Sequence, residues 1–187
     1  MPTGNRYDVA GGGVLYCATR LEACYAETLA RLRPSPGVIA KLGDYESGRM
    51  NVGSVPADWR TRRVRLVLLC DQPLPFLDVE NPSTLAALGE ALTKELVALD
   101  VDRPLDVSLM RGRDRRIPRL VSLWAYSQQD DLGMPKFSGL RYESKLGQYE
   151  CWAIFDRTMV RAAEQKAVLK SDVALVRVAD MYGLTLH

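Results

Sequence analysis

The chain has one histidine, His187 at the last position, and four cysteines, Cys17, Cys24, Cys70 and Cys151, with no CxxC pair. Ser-His and Cys-His nucleophiles, His-ligated metals and thioredoxin-type or zinc sites therefore have almost nothing to work with. Chemistry in this chain has to run on carboxylates, arginines, tyrosines and hydroxyls. Glu27 is the carboxylate to follow. It lies off the apolar stripe Leu21, Tyr25, Leu29 and Leu32, one turn from Cys24 and Arg31. Its neighbours Ala23, Ala26 and Ala30 are small, and the end of a neighbouring strand can approach such a helix face closely. Taken singly, Glu27 reads as a solvated helix residue and Arg6 as surface. Ser144 by itself reads as a strand-end hydroxyl, with no histidine to act as its base.

These residues need positioning elements. Gly11-Gly12-Gly13 reads as a turn, because it precedes a strand and no GK[ST] follows. Gly13 to Ala18 reads as a short buried strand. A helix follows, with Thr19 and Glu22 spaced as a capping box, and Pro34-Ser35-Pro36-Gly37 stops it. Residues 38–45 are open between a strand and a helical turn, and 48–63 read as loop. VRLVLLC, residues 64–70, reads as a central strand, 71–75 as a turn, and PFLDVE as a second short strand. Asn81-Pro82 opens a helix with the stripe Leu85, Leu88, Leu92, Leu96 and Leu99. The basic run 111–116, RGRDRR, reads as a solvated loop, since it lacks interleaved aromatics. Pro118 precedes a helix with Leu120, Val121, Trp124 and Ala125 inward, and 130–138 read as loop. GLRYES and CWAIFD read as a hairpin pair joined by KLGQYE. Residues 158–168 read as helical and VALVRVADMYGL as a closing strand. Strands and helices mixed without regular alternation give an α+β class.

At 187 residues and net charge +2, one domain spanning 1–187 is expected, with neither disorder nor strong polyanion binding indicated. No run approaches the length of a membrane span, VRLVLLC being only seven residues, and MPTGNRYD lacks a secretory pattern, so a cytoplasmic protein without a membrane span or direct nucleic-acid partner is expected.

The pieces also form an ordered set. NRYD is followed ten residues after Arg6 by Tyr16 in GVLYCAT, and eleven further on by Glu27 in EACYAETL. VPADWR, PFLDVENPSTL, GLRYESK and CWAIFDR continue it, so that residues 4 to 157 are covered. In this order and spacing the chain resembles the RES-domain family, named for an arginine, a glutamate and a serine. The resemblance implies a fold similar to the mono-ADP-ribosyltransferases, with mixed or antiparallel sheets and surrounding helices. It implies a toxin of a bacterial type II toxin–antitoxin pair that consumes NAD without a metal. Two outcomes are implied: transfer of ADP-ribose to a protein such as phosphoribosyl-pyrophosphate synthetase, or cleavage of NAD with water or phosphate as acceptor. A helix-turn-helix (Xre/ParS-like) antitoxin that covers the active site is the implied partner.

The resemblance also assigns roles. Breaking the nicotinamide–ribose bond expels a neutral leaving group through an oxocarbenium-like transition state, and Glu27 is the carboxylate to stabilise it. Arg6 is the pyrophosphate ligand. Tyr16 offers a flat face for nicotinamide or adenine, Tyr7 lines the pocket, and Ser144 positions the glutamate or the nicotinamide end. Family members carry a further upstream strand with an arginine in a Trp-Arg or Tyr-Arg setting. Met1 stands only five residues before Arg6, so that segment is missing, either because this subgroup does without it or because the chain is truncated.

Overall fold

A computed structural model describes residues 4–42 and 53–187. The chain divides into two compact units, each built from two stretches of sequence. The first takes Met1–Thr19 and Cys70–Val160, and the second Arg20–Leu69 and Arg161–His187.

The first unit is built on a mixed four-stranded sheet in the order β1-β6-β5-β4. Its strands are β1 (Val14–Ala18), β4 (Phe76–Asp78), β5 (Gly139–Glu143) and β6 (Glu150–Phe155). β1 and β5 each run antiparallel to β6, while β4 runs parallel to β5. The glycine turn, the positions of both outer strands and the hairpin pair are as expected, but β1 is a half-buried edge strand with Leu15 exposed instead of the buried strand expected. Gly139 opens β5 at φ +157°, and a Cβ there would stand 2.1 Å from the Ala153 carbonyl oxygen, so β5 and β6 approach where a side chain is excluded. Asn81 caps α4 (Pro82–Ala91) by accepting from the amides of Ser83 and Thr84, with Pro82 at the first helical position. The leucine stripe continues into α5 (Thr93–Ala98), and Leu85, Leu88, Leu92 and Leu96 are buried. α6 (Val107–Met110) is capped by Asp106, and α7 (Arg116–Ser127) buries Ile117, Val121 and Ala125. These helices and the sheet enclose one apolar cluster with Tyr7, Val79, Met110, Leu140 and Phe155 near its middle.

The second unit carries α1 (Leu21–Leu29), a tighter turn at Ala30–Leu32, α2 (Pro36–Leu42) and α3 (Ala57–Thr61). It also holds α8 (Val173–Tyr182), the short parallel pair β2 (Ser54–Val55) and β8 (Thr185–Leu186), and most of a ribbon of β3 (Val64–Cys70) with β7 (Val160–Ala167). α1 packs on α8 through the buried Ala23, Tyr25, Ala26 and Leu29 on one side and Ala174, Leu175, Val178 and Ala179 on the other. Asp172 organises this contact: it caps α8 through the Ala174 amide, accepts from the Tyr25 hydroxyl at 2.9 Å, and pairs with Arg65 at 2.9 Å.

Several expectations are corrected. Thr19 does not cap α1; its hydroxyl donates to Glu150 and accepts from Trp152, while Glu22 takes Arg177. Residues 38–42, open between strand and helical turn, are helical as one of those readings had it, and 53–63 hold β2 and α3 where loop was expected; residues 43–52 lie outside the described part. VRLVLLC is one strand of a two-stranded ribbon, with Val64, Leu66, Val67 and Leu69 exposed, so it is not central. Residues 160–167 form a strand although Ala, Glu, Gln and Lys favour helix, because pairing with β3 overrides propensity. VALVRVADMY is a helix: its buried positions recur at helical spacing, Asp172 caps it, and Gly183 closes it at φ +63°. The α+β class holds. No described helix is long and apolar enough to cross a membrane.

Candidate active site

Four of the five candidate residues, Arg6, Tyr7, Tyr16 and Ser144, belong to the first unit; Glu27 belongs to the second. Glu27 sits on α1 as an exposed side chain.

The loop before β1 is held by a hydrogen-bond chain centred on Tyr16. The Tyr7 amide donates to the Tyr16 phenol oxygen at 2.9 Å, and that phenol donates to Asp8 Oδ1 at 2.8 Å. Asp8 Oδ2 in turn accepts from the Asn5 amide. Burial, then the bond to Asp8, pushes the Tyr16 hydroxyl far above its ordinary range. Tyr7 is fully buried, with its carbonyl accepting from Ser122 at 2.7 Å and its ring 4.7 Å from that of Tyr142. Burial raises its phenol pKa strongly, against the pull of Arg6.

This loop aims Arg6 at the chain just after α6. Arg6 Nη1 donates to the carbonyls of Met110 at 2.8 Å and Gly112 at 2.9 Å. Across from it, β5 ends in Glu143-Ser144-Lys145. Ser144 is only 3 % exposed; its amide donates to the Tyr149 carbonyl at 2.8 Å and its Oγ accepts from the Leu146 amide at 3.0 Å, closing the hairpin turn. Lys145 Nζ then donates to the same Gly112 carbonyl at 3.4 Å. Arg6 and Lys145, the residue after Ser144, are thus brought together on one carbonyl oxygen.

The basic run expected to be a solvated loop is partly structural. Arg111 is clamped between Glu80 and Glu143, with Nη2 bonded to both carboxylates and Nε to Glu80 at 3.2 Å. Glu80, its side chain 10 % exposed, also accepts the Glu143 amide at 2.9 Å. Burial alone would lower the Arg111 pKa, and its two carboxylate partners outweigh that and raise it. The clamp fixes the end of β5 against the 111–115 loop. Arg111 stands in the basic run that the sequence reads as solvated loop, and nothing in the sequence marks Glu80, Glu143 or Lys145 singly. The signal available was GLRYESK itself, in which a lysine follows the serine at the strand end.

The family model for the RES domain matches residues 1–177. The chain belongs to the RES-domain family. No curated protein matches the chain, and no solved structure does. In this RES domain the arginine of NRYD and the lysine after the serine of GLRYES meet at the Gly112 carbonyl within one unit, though 137 residues lie between Arg6 and Ser144 in the sequence.

Proposed function

We propose that this RES-domain chain is the toxin of a type II toxin–antitoxin pair that breaks the nicotinamide–ribose bond of NAD and transfers ADP-ribose to a protein. Phosphoribosyl-pyrophosphate synthetase is an example of such a target. The observation that carries the reading is the meeting of Arg6 with the Ser144-Lys145 corner at the Gly112 carbonyl. It supplies cationic donors suited to a pyrophosphate within the part of the chain that matches the family.

In this reading residues 1–187 act as one domain of ADP-ribosyltransferase-like fold. Arg6 has spent Nη1 on backbone carbonyls, so its Nε–Nη2 edge holds the pyrophosphate. Tyr7 lines the pocket from its buried position, and Tyr16 presents a ring face to nicotinamide or adenine. Ser144 positions the nicotinamide end or the catalytic carboxylate. Glu27 holds the ribose hydroxyls and stabilises the developing ribosyl cation. No metal is needed, because nicotinamide leaves as a neutral molecule. The exposure of Glu27 favours a protein acceptor over water or phosphate, since a protein nucleophile has to reach the ribose from outside. A cytoplasmic helix-turn-helix antitoxin is the partner that restrains the enzyme.

The test follows NAD loss and nicotinamide release by the purified chain, alone and with bacterial lysate, with Glu27→Ala alongside. Release that depends on lysate, with a lysate protein gaining ADP-ribose by mass spectrometry, is the expected result. Rapid release by the chain alone would move the assignment to NAD cleavage with water or phosphate as acceptor. Glu27→Ala is expected to lose about a hundredfold or more in rate with its circular dichroism unchanged. Full activity in that variant would remove Glu27 from the mechanism.

A further inference from the structure

Two cations share one neutral acceptor at the Gly112 carbonyl: Arg6 Nη1 at 2.9 Å and Lys145 Nζ at 3.4 Å. Like charges held within the span of two hydrogen bonds repel. Carboxylates usually relieve such pairs, and here they are used elsewhere. Glu80 and Glu143 are both taken by Arg111, and Asp114 by Arg116. Among the described residues no ion pair engages Arg6, Arg113, Arg115 or Lys145. Partial burial, then the fields of Arg6, Arg115, Arg111 and Arg113, lowers the Lys145 pKa, so the ammonium is held where positive charge already exceeds negative.

The arrangement is also fixed in place. Arg6 is anchored by two carbonyls, the 111–115 loop by the Arg111 clamp, and Lys145 by the buried Ser144 turn before it. A preorganised pair of cations with adjacent donors matches two linked oxyanion centres better than one.

We propose that Lys145 and Arg6 form a diphosphate seat, one cation to each phosphate, and that Lys145 makes a diphosphate, and not a single phosphate, the group this site selects. The inference rests on the NAD reading only for the identity of the physiological ligand. The seat itself takes any compact diphosphate, free or esterified.

Titration calorimetry of the full chain with inorganic pyrophosphate, orthophosphate and ADP-ribose tests it, with Lys145→Gln and Lys145→Arg as variants. Lys145 is exposed at the corner, so both variants keep the fold, and near-UV circular dichroism checks that. The expected result is tighter binding of pyrophosphate than of orthophosphate, an about tenfold loss for pyrophosphate and ADP-ribose in Lys145→Gln, and recovery of most of it in Lys145→Arg. Pyrophosphate binding that falls in Lys145→Gln, with no binding of ADP-ribose, would support the seat while removing the NAD reading. ADP-ribose binding that Lys145→Gln leaves unmoved would overturn the seat and leave the NAD reading standing. Failure of the unmodified chain to bind pyrophosphate or ADP-ribose would overturn the seat as well.

Discussion

Ser144 and Lys145 are consecutive residues with opposite surroundings. Ser144 turns a hydroxyl inward to receive the Leu146 amide, and Lys145 carries its charge outward to the Gly112 carbonyl. Removing the Ser144 hydroxyl leaves an amide without that acceptor, which costs about 1–3 kcal/mol. Ser144→Ala is therefore expected to lower the melting temperature measurably and to reduce NAD turnover much less than Glu27→Ala. Loss of turnover equal to that of Glu27→Ala would show that Ser144 takes a direct part in the chemistry. Arg6 and Ser144 stand out only through the ordered motifs, since by residue type each reads as surface or as a strand-end hydroxyl. The use of the Tyr16 hydroxyl was not legible, since its partners are the Tyr7 amide and Asp8, and a tyrosine in a strand does not announce which of its atoms is occupied. Lys145 was passed over for a similar reason: a lysine after a strand is ordinary until its neighbours in space are known.

Among the elements, β5 does most to place the site, because it joins the sheet centre to the Ser144-Lys145 corner. Its first residue tolerates no side chain. Gly139→Ala puts a methyl group 2.1 Å from the Ala153 carbonyl oxygen, and forcing the strands apart is expected to cost about 3 kcal/mol. Urea unfolding followed by circular dichroism checks this, with the midpoint falling at unchanged slope; an unmoved midpoint would mean that β5 and β6 shift apart without penalty. The β5–β6 pair and the Asn81-capped helix could be read from sequence because local signals and tertiary packing agree there. They disagree at the carboxy-terminal end. Ala, Glu, Gln and Lys in 160–167 favour a helix that strand pairing overrides, and the valines of 173–178 suggest a strand where a cap, a left-handed glycine and packing on α1 impose a helix. The Thr19 capping box failed because Glu150 and Trp152, far along the chain, compete for the same hydroxyl.

For the whole molecule, charge is nearly balanced at +2, yet the fields of Arg6, Arg111, Arg113 and Arg115 all fall on Lys145. A total cannot report such clustering, and this is why polyanion chemistry was discounted from composition. The α+β class was legible from the mixture of elements, whereas the two units were not, because each is assembled from separated stretches. Acid behaviour is also a property of the whole chain. Bonds from Thr19 and Arg141 lower the Glu150 pKa, those from Ser108 and the Leu109 amide lower that of Asp106, and those from Arg116 lower that of Asp114. Carboxylates depressed on folding contribute stability that is present above their unfolded values and lost as pH falls through the folded ones. With a single histidine in the chain, melting temperature is expected to be nearly flat from about pH 5 to 8 and to drop below the ordinary glutamate value of 4.5. Glu150→Gln should make the acid drop shallower; an identical drop in that variant would show that Glu150 is no part of it.

The anchoring of Arg6 has a consequence for what evolution can leave in a sequence. Its two acceptors are main-chain oxygens, which every amino acid supplies, so no particular side chain at 110 is required to keep the guanidinium aimed. Gly112 is constrained for a different reason, since a Cβ there would press on the carbonyls of Leu109 and Ser108 at 3.1 and 3.2 Å. Position 110 can therefore drift among residues that fill the core without any matching change at Arg6, and the contact that aims the arginine is inherited with the path of the backbone.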